Sequence, residues 1–231
     1  MPNPQDKPSK GKGKSGGVFI TLEGGEGSGK STQLGLLKDW LTQHYKKPVV
    51  TTREPGGTPA AERIRQLLVS KERKAHALDA MGETLLLTAA RRDHVLQVIK
   101  PALLRGEIVL CDRFTDSTHV YQNLLGGVDG TLIDWLGKHF LDGITPDITI
   151  IFDIDPKNSL WRSMLWRNDD SKKWFTDATM QFHIDVRRGF LRLAKQDPNR
   201  FIIIDASQEI KTVHASITQA LAPRLDQLVR Q

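Results

Sequence analysis

The glycine-rich run at residues 24–31, GGEGSGKS, constrains the fold of this chain more than any other feature. A short apolar segment at residues 18–22 precedes it, and leucines at helical spacing follow it over residues 31–45. A strand, a glycine-rich turn and a helix in this order match the Walker A pattern. A chance glycine-rich turn would not need these flanking elements. We therefore expect an α/β sheet that carries this loop at the end of its first strand.

The residue types within the run indicate an anion site. Glycines allow the backbone to wrap closely around phosphates, and the amides at the start of a helix favour negative charge. Lys30 would supply a positive charge to the β- and γ-phosphates, and the Ser31 hydroxyl would hold Mg²⁺. The loop predicts an enzyme that transfers a phosphoryl group from a nucleoside triphosphate.

The remaining pattern alternates short apolar runs with longer helical stretches. Strands are predicted at residues 48–52, 107–111, 148–153 and 201–205, and helices at residues 60–69, 78–104, 117–125, 131–141, 177–194 and 209–229. Such alternation predicts a doubly wound five-stranded parallel sheet of the P-loop NTPase type, with helices on both faces. We expect one domain over residues 17–231, with a small lid at about residues 162–177, behind a disordered basic tail at residues 1–16.

Composition limits the partners that this chain is expected to have. The formal net charge of +6 includes four lysines in the leading tail, namely Lys7, Lys10, Lys12 and Lys14. Without these lysines the excess is small, and no stretch interleaves basic with aromatic residues, so nucleic-acid binding is not expected. No window approaches the ~20 apolar residues of a membrane helix.

A cytoplasmic location is expected, because the sequence shows neither a targeting signal nor a membrane-length apolar window. The amino terminus has no apolar region of the secretory type and no arginine of the transit-peptide type. Cys111 is the one cysteine, so no internal disulfide is expected. It ends an apolar run, where a small buried hydrophobic residue is expected rather than a nucleophile.

Polar residues follow three predicted strands at the point where each ends. The glycine-rich run follows the first strand, Arg53 and Glu54 follow the second, and Asp112 and Arg113 follow the third. Because ligands of parallel α/β sheets bind at the carboxyl ends of the strands, we expect these residues to share one site.

Two of these groups allow a second interpretation. The loop REPGGT at residues 53–58 could be a common turn with a surface ion pair, or a substrate loop in which Arg65 adds a second phosphate clamp. Asp112 could bind Mg²⁺ or a Mg²⁺-bound water, or form a structural pair with Arg113. Their place beside the phosphate loop favours the functional interpretation of both.

Five stretches together resemble bacterial thymidylate kinases. They are TREPGGT (52–58), AARRDHV (89–95), DRFTDSTHVYQ (112–122), PDITIIFDI (146–154) and FHIDVRRGFLRLA (182–194). The resemblance extends from about residue 18 to beyond residue 205. It implies transfer of a phosphoryl group from ATP to dTMP, with Mg²⁺, a doubly wound P-loop fold and a homodimer whose small-molecule substrates are ATP and dTMP.

The resemblance also implies roles for individual residues. Glu26 would face the 3′-hydroxyl of the acceptor, Arg91 would hydrogen-bond the thymine ring, and Tyr121 would pack against the deoxyribose. The acceptor phosphate would be held by Arg53, Arg65 and Arg113, and the base edge by Thr118 and Gln122. Glu54 and Asp112 would lie near the metal, with Ser31. ATP would be held by Gly24, Gly25, Glu26, Gly27, Ser28, Gly29, Lys30, Ser31 and Thr32.

The base site departs from the family pattern at one position. The family often has a phenylalanine three or four residues before the position of Arg91, and here those positions hold Leu87 and Thr88. Stacking on a base is worth ~1–3 kcal/mol in single-strand binders. We expect weaker affinity for dTMP or looser base choice unless another ring, such as that of Phe114, takes over.

The lid also departs from the family pattern. Where the family has D-R-F-E, this chain has Lys173, Trp174, Phe175 and Thr176. The phosphate loop has no arginine, so a lid cation must neutralise the charge on the transferring group; Arg167 is the first candidate and Arg162 the second, with Lys172 and Lys173 nearby. The expected catalytic residues are Lys30, Arg113, Arg167 and Arg162.

Three other functions remain open from the sequence. A deoxynucleoside kinase would need a general base for a neutral hydroxyl acceptor. A nucleotide-binding module with attenuated catalysis would fit the altered lid. A GTP-dependent switch is disfavoured because the sequence has no clear Asn-Lys-x-Asp stretch to read guanine.

Overall fold

A computed structural model describes residues 16–69, 78–165 and 179–229 of the chain. Nearly all of the predicted tail and most of the predicted lid, including Arg167, Lys172 and Lys173, lie outside the described residues. The division into tail, domain and lid therefore stays a prediction.

Five strands form one parallel sheet in the order β2-β3-β1-β4-β5. They are β1 (Val18–Glu23), β2 (Val49–Arg53), β3 (Ile108–Asp112), β4 (Ile148–Asp153) and β5 (Phe201–Asp205). All four ladders are parallel. The central strand β1 is buried at all six positions, as expected for a strand covered on both faces. The predicted five-stranded parallel sheet is confirmed.

Helices cover both faces of the sheet. They are α1 (Lys30–Tyr45), α2 (Pro59–Val69), α3 (Ala80–His94), α4 (Lys100–Leu104), α5 (Thr115–Thr118), α6 (Gly130–Phe140), α7 (Pro156–Leu165), α8 (Met180–Gln196) and α9 (Ile210–Val229). On one face, Leu37 of α1 and Ile217 of α9 belong to the cluster that includes Leu110. On the other, Phe19 and Cys111 pack with residues 95–103. Cys111 is fully buried, which confirms the interpretation from sequence.

Two predicted helices contain wide turns. The helix predicted at residues 78–104 is three segments, because the π-helical turn Val95–Ile99 separates α3 from α4. Pro101 lies at the start of α4, where its missing N–H costs little, and the wider turn before it avoids the clash of a proline inside a regular α-helix. The helix predicted at 117–125 is the short α5 followed by the π-helical segment His119–Leu125.

The sheet order places a crevice beside β1. Strand β2 lies on one side of β1, beyond β3, and β4 lies on its other side. Because all strands are parallel, the carboxyl ends of β1, β2 and β3 lie at the same edge of the sheet.

None of the helices in the described ranges combines the length and apolarity needed to cross a bilayer.

Candidate active site

The glycine-rich loop leaves β1 at Gly24 and enters α1 at Lys30. A Cβ atom at Gly24, where φ is 140°, would lie 2.8 Å from the Phe152 carbonyl oxygen, so only glycine fits. Gly29 is the N-cap of α1 in the left-handed conformation, and no side chain caps the helix. The helix therefore starts with its positive end open toward the loop, as an anion site requires.

The Lys30 ammonium lies folded over this loop. It donates to the carbonyl oxygens of Gly24 and Gly25 at 3.0 and 2.8 Å, and to Ser28 Oγ at 3.3 Å. Burial, and next the nearby Arg113 guanidinium, lower the pKa of Lys30 from 10.5 to about 8. A phosphate oxygen would replace these neutral acceptors with a charged one and favour the ammonium form.

Asp112 and Arg113 lie at the end of β3 facing the loop. Ser31 Oγ is 3.5 Å from Asp112 Oδ2. Arg113 adopts φ of 71°, donates from Nη1 to Ser117 Oγ at 3.1 Å and stands over the Tyr121 ring at 5.5 Å. Within the described residues, two buried side-chain atoms have no hydrogen-bond partner, and they are Asp112 Oδ1 and Arg113 Nη2. An acceptor and a donor without hydrogen-bond partners thus belong to neighbouring residues that line the same cavity.

Glu26 lies on the loop close to Arg113. Its Oε1 atom is 3.6 Å from Arg113 Nη2, an ion-pair distance that is too long for a hydrogen bond. The structure therefore brings the predicted sugar contact and one predicted phosphate contact to neighbouring positions.

Glu23 is a buried residue that sequence reasoning gave no role. Its carboxylate accepts from the Phe114 N–H at 2.7 Å and the Ser117 hydroxyl at 2.7 Å, and so connects β1 to the segment after β3. Burial, and next the Asp116 carboxylate, raise the pKa of Glu23 to about 7. The signal in the sequence was an acidic residue that closes an otherwise apolar strand.

Arg53 and Arg65 line the cavity from the second strand end. Arg53 pairs with Glu62 at 2.9 Å and is half-exposed, while Arg65 donates to the Pro55 carbonyl at 3.0 Å. Arg53 thus forms a surface ion pair, but its partner lies on α2 and not in the 53–58 loop. This ion pair coexists with a place on the wall of the cavity.

Glu54 lies beneath the cavity, and both of its oxygens are engaged. Oε2 accepts from Arg91 Nε at 2.5 Å, and Oε1 is 2.9 Å from His94 Nδ1. This arrangement favours a role for Glu54 in holding the Arg91 guanidinium, rather than the predicted role of Glu54 near the metal. His94 is fully buried and was missed, because its spacing on α3 resembles that of a core residue.

The predicted base contacts gather on the opposite wall. Arg91 Nη2 donates to Thr118 Oγ1 at 3.1 Å, and Gln122 and Leu87 line the same cavity. Phe114 also lines the cavity, but its side chain is fully buried, with its ring perpendicular to that of Phe19 and 5.2 Å from the Arg91 guanidinium. Whether Phe114 takes over the role of the missing stacking ring stays a prediction.

Arg162 lies on α7 at the other end of the cavity. It donates to the carbonyl oxygens of Ala206 and Ser207 at 2.7 and 2.5 Å. Ser207 N–H donates to Asp205 Oδ1 at 2.9 Å and Gln208 Nε2 donates to Oδ2 at 3.1 Å, and these hydrogen bonds hold the turn after β5. Hydrogen bonds from Ser207 and Gln208 lower the pKa of Asp205 to about 2. Because the predicted acceptor-base contacts lie at the other end of the cavity, this placement favours a role of Arg162 at the donor nucleotide rather than its predicted role at the transferring group.

Most of these residues line one continuous cavity of about 1240 Å³. It extends from the turn after β5, past the glycine-rich loop, to the wall formed by Glu83, Arg91 and Gln122. Pockets for single drug-sized ligands span ~300–1000 Å³, so this volume accommodates two nucleotides.

Known proteins show the same sequence pattern and fold. The family model described as Thymidylate kinase matches residues 22–217. The chain is 45% identical over 208 residues to a thymidylate kinase of Magnetococcus marinus, covering 90% of this chain and 97% of the relative. It is 43% identical over 209 residues to one of Caulobacter vibrioides, covering 90% and 98%. The crystal structure of thymidylate kinase from Ehrlichia chaffeensis superposes with a TM-score of 0.71 at 38% identity, covering 89% of this chain and 98% of that one.

Proposed function

The chain belongs to the thymidylate kinase family, and on that premise we propose how its residues transfer the γ-phosphoryl group of ATP to dTMP to give dTDP. The observation that carries the proposal is a pair of buried atoms without hydrogen-bond partners, Asp112 Oδ1 and Arg113 Nη2, where the two nucleotides would meet. A buried polar atom without a partner costs free energy, so both suit ligands that bind there.

The donor phosphates lie on the glycine-rich loop in this proposal. The amides at the start of α1 and the Lys30 ammonium bind the β- and γ-phosphates, and Lys30 leaves its loop carbonyls to do so. The triphosphate-binding residues are Gly24, Gly25, Glu26, Gly27, Ser28, Gly29, Lys30, Ser31 and Thr32, most of which line the cavity.

Ser31 and Asp112 are the residues that would hold Mg²⁺. No group of three or more acidic, histidine or cysteine side chains in the described ranges could hold a metal on its own. Mg²⁺ in kinases takes one or two protein ligands and completes its shell with phosphates and water, so the free Asp112 Oδ1 and the nearby Ser31 hydroxyl fit. Bound there, the ion would neutralise charge on the β- and γ-phosphates.

Arg113 holds the acceptor phosphate in line with the γ-phosphorus. Its Nη2 atom is free to donate, and the Ser117 hydroxyl and the Tyr121 ring hold the rest of the guanidinium. Arg53 at the end of β2 and Arg65 on α2 add positive charge, and Glu26 accepts from the 3′-hydroxyl. Arg91, Thr118 and Gln122 contact the base, and Tyr121 packs against the deoxyribose.

Alignment and charge stabilisation are the whole of the protein's task in this reaction. A phosphate oxygen of dTMP is already ionised at neutral pH, so no side chain needs to remove a proton. Lys30 and Arg113 face the charge that develops on the transferring group, and we propose that Arg167 adds a further cation. Arg167→Ala would then lower kcat far more than it weakens ATP binding.

A panel of acceptors tests the function. ADP formation is measured with dTMP, dUMP, dCMP, dGMP and thymidine, and dTMP is expected to give the highest kcat/KM. Faster turnover of thymidine would indicate a deoxynucleoside kinase. Tight binding of ATP and dTMP without turnover would indicate a binding module.

We also propose that the enzyme is a cytoplasmic homodimer. Four apolar residues at the surface of α3 and its flanking segments support a subunit interface there, and they are Leu78, Met81, Leu85 and Leu96. The molar mass from light scattering checks the dimer, with Leu85→Lys as the variant expected to separate the subunits.

A further inference from the structure

Gln122 and Glu83 form a hydrogen bond on the base side of the cavity. Gln122 Nε2 donates to Glu83 Oε2 at 2.9 Å, and both side chains line the cavity. Gln122 lies on the π-helical segment after α5, and Glu83 lies in the first turn of α3. The two are 39 residues apart in sequence, so neither segment alone reveals the contact.

This bond determines which way the Gln122 amide faces. A carboxylate oxygen accepts hydrogen bonds but cannot donate, so the NH₂ group of Gln122 must be the side that meets Glu83. The amide oxygen then projects away from Glu83. No hydrogen bond to Oε1 is found among the described residues, so this oxygen can accept one from a ligand.

The oriented amide is suited to one class of base. Thymine and uracil carry an N–H at N3 and a carbonyl at O4, whereas cytosine carries an acceptor at N3 and an amino group at position 4. An acceptor oxygen from Gln122 beside a donor from Arg91 matches N3–H and O4 of thymine. The same pair places acceptor against acceptor and donor against donor with cytosine.

We propose that Glu83 is a specificity-determining positioning residue, which holds the Gln122 oxygen toward the N3–H of a keto pyrimidine and so excludes cytosine nucleotides. This inference rests on the proposed function, because it concerns the base of the same acceptor. Glu83 itself does not need to touch the substrate. The Glu83 carboxylate acts by disfavouring the orientation in which the Gln122 amide oxygen faces Glu83 and the NH₂ group faces the base.

Glu83→Gln tests the proposal with almost no change in shape. A glutamine at this position can donate as well as accept, so the Gln122 amide can turn and present its NH₂ group to N3 of cytosine. We expect the ratio of kcat/KM for dTMP over dCMP to fall about tenfold, as the loss of one hydrogen-bond preference predicts. KM for ATP stays unchanged.

dUMP is the internal control, because it shares N3–H and O4 with dTMP and lacks only the methyl group. The ratio of dTMP over dUMP is expected to stay unchanged in Glu83→Gln, whereas general loosening of the site would lower both ratios. Glu107→Gln makes the same substitution at the amino end of β3, where the carboxylate pairs with Arg105, and it should move neither ratio.

Gln122→Met provides a second route that does not depend on the folding of Glu83→Gln. Methionine keeps the length of glutamine but removes the oxygen, so the dTMP over dCMP ratio should fall to a similar extent. Adding Glu83→Gln to Gln122→Met should then change nothing further.

Two failures are distinguishable. If the unmodified enzyme turns over dTMP no better than the other acceptors, the proposed function is wrong. If the unmodified enzyme prefers dTMP, two results would overturn only the role of Glu83. In the first, Glu83→Gln keeps the dTMP over dCMP ratio of the parent. In the second, its dTMP over dUMP ratio falls by the same factor as its dTMP over dCMP ratio.

Discussion

Arg91 and Glu54 form a buried ion pair directly beneath the base side of the cavity. The distance from Arg91 Nε to Glu54 Oε2 is 2.5 Å, and the side chains are only 5% and 3% exposed. His94 extends this buried network, since its Nδ1 atom lies 2.9 Å from Glu54 Oε1 and its Nε2 atom lies 2.6 Å from Thr52 Oγ1. Burial of such a pair requires costly desolvation, so its value lies in holding the guanidinium in one orientation toward the base.

Glu54→Gln should therefore affect both stability and one substrate. It leaves the Arg91 charge buried without a counter-charge, which costs about 3–5 kcal/mol. KM for dTMP should rise while KM for ATP stays close to that of the parent. Urea denaturation and steady-state kinetics measure the two effects.

Glu62→Gln is the matched control for this prediction, because Glu62 forms an ion pair with Arg53 in which both side chains are well exposed. Such exposed pairs contribute less than about 1 kcal/mol. Equal destabilisation by the two variants would contradict the importance of the buried pair.

The affinity for ATP should depend on the protonation of Lys30. Because its pKa in the free protein is about 8, the ammonium loses its proton as the pH rises through that value. Phosphate binding favours the charged form, so the Kd of a non-hydrolysable ATP analogue should increase about tenfold between pH 7 and pH 9. Calorimetry in buffers of different ionisation enthalpy also counts the proton that is taken up.

Lys30→Arg separates this effect from other titrations. A guanidinium stays charged over the whole range, so the slope of affinity against pH should vanish even where binding is weaker overall. A slope as steep as that of the parent would assign the pH dependence to another group.

The stability of Glu23→Gln relative to the parent should increase as the pH rises. The pKa of Glu23 is raised from 4.5 to about 7, so the folded protein holds this proton more tightly than the unfolded chain. The resulting stability is complete below pH 4.5 and is lost as the pH rises through 7. The difference in unfolding free energy, variant minus parent, should grow on the order of 2 kcal/mol from pH 5 to pH 8.

Thermal and urea unfolding at four pH values check this prediction for Glu23. Glu107→Gln is the control, because a hydrogen bond from Arg105 lowers the pKa of that carboxyl and no gain at high pH is expected. A constant difference for Glu23→Gln across the range would show that the buried carboxyl does not titrate near 7.

The sequence predicted the sheet and the glycine-rich loop because both depend on local spacing. Apolar runs of five or six residues and the GGEGSGKS motif report the backbone directly. The pairs Arg91–Glu54 and Gln122–Glu83 join residues 37 and 39 positions apart, and local patterns carry no record of such partners. His94 was hidden for the same reason, since only the folded chain brings it to Glu54.

The π-helical segments also escaped prediction. Hydrophobic spacing in residues 117–125 is close to that of an α-helix, and the wide turn changes which side chains face the crevice. Tyr121 and Gln122 owe their positions to this segment, so a regular helix would have placed the predicted sugar and base contacts differently.

Arg162→Ala distinguishes the role that the sequence predicted from the role that the geometry favours. The guanidinium donates to two carbonyls of the turn after β5, so its removal should loosen the donor end of the cavity. We expect KM for ATP to rise about tenfold, with kcat within about threefold of the parent, because ground-state binding is lost and the transferring group is not affected.

Arg188→Ala is the control for Arg162→Ala, since Arg188 is a highly exposed arginine of α8 whose ion pair with Asp185 spans one helical turn. It should leave both constants unchanged. A hundredfold fall in kcat with unchanged KM would instead place the Arg162 guanidinium at the transferring phosphoryl group. The turn carbonyls would then hold it only in the ligand-free enzyme, because an interaction made only in the transition state lowers kcat and leaves ground-state binding intact.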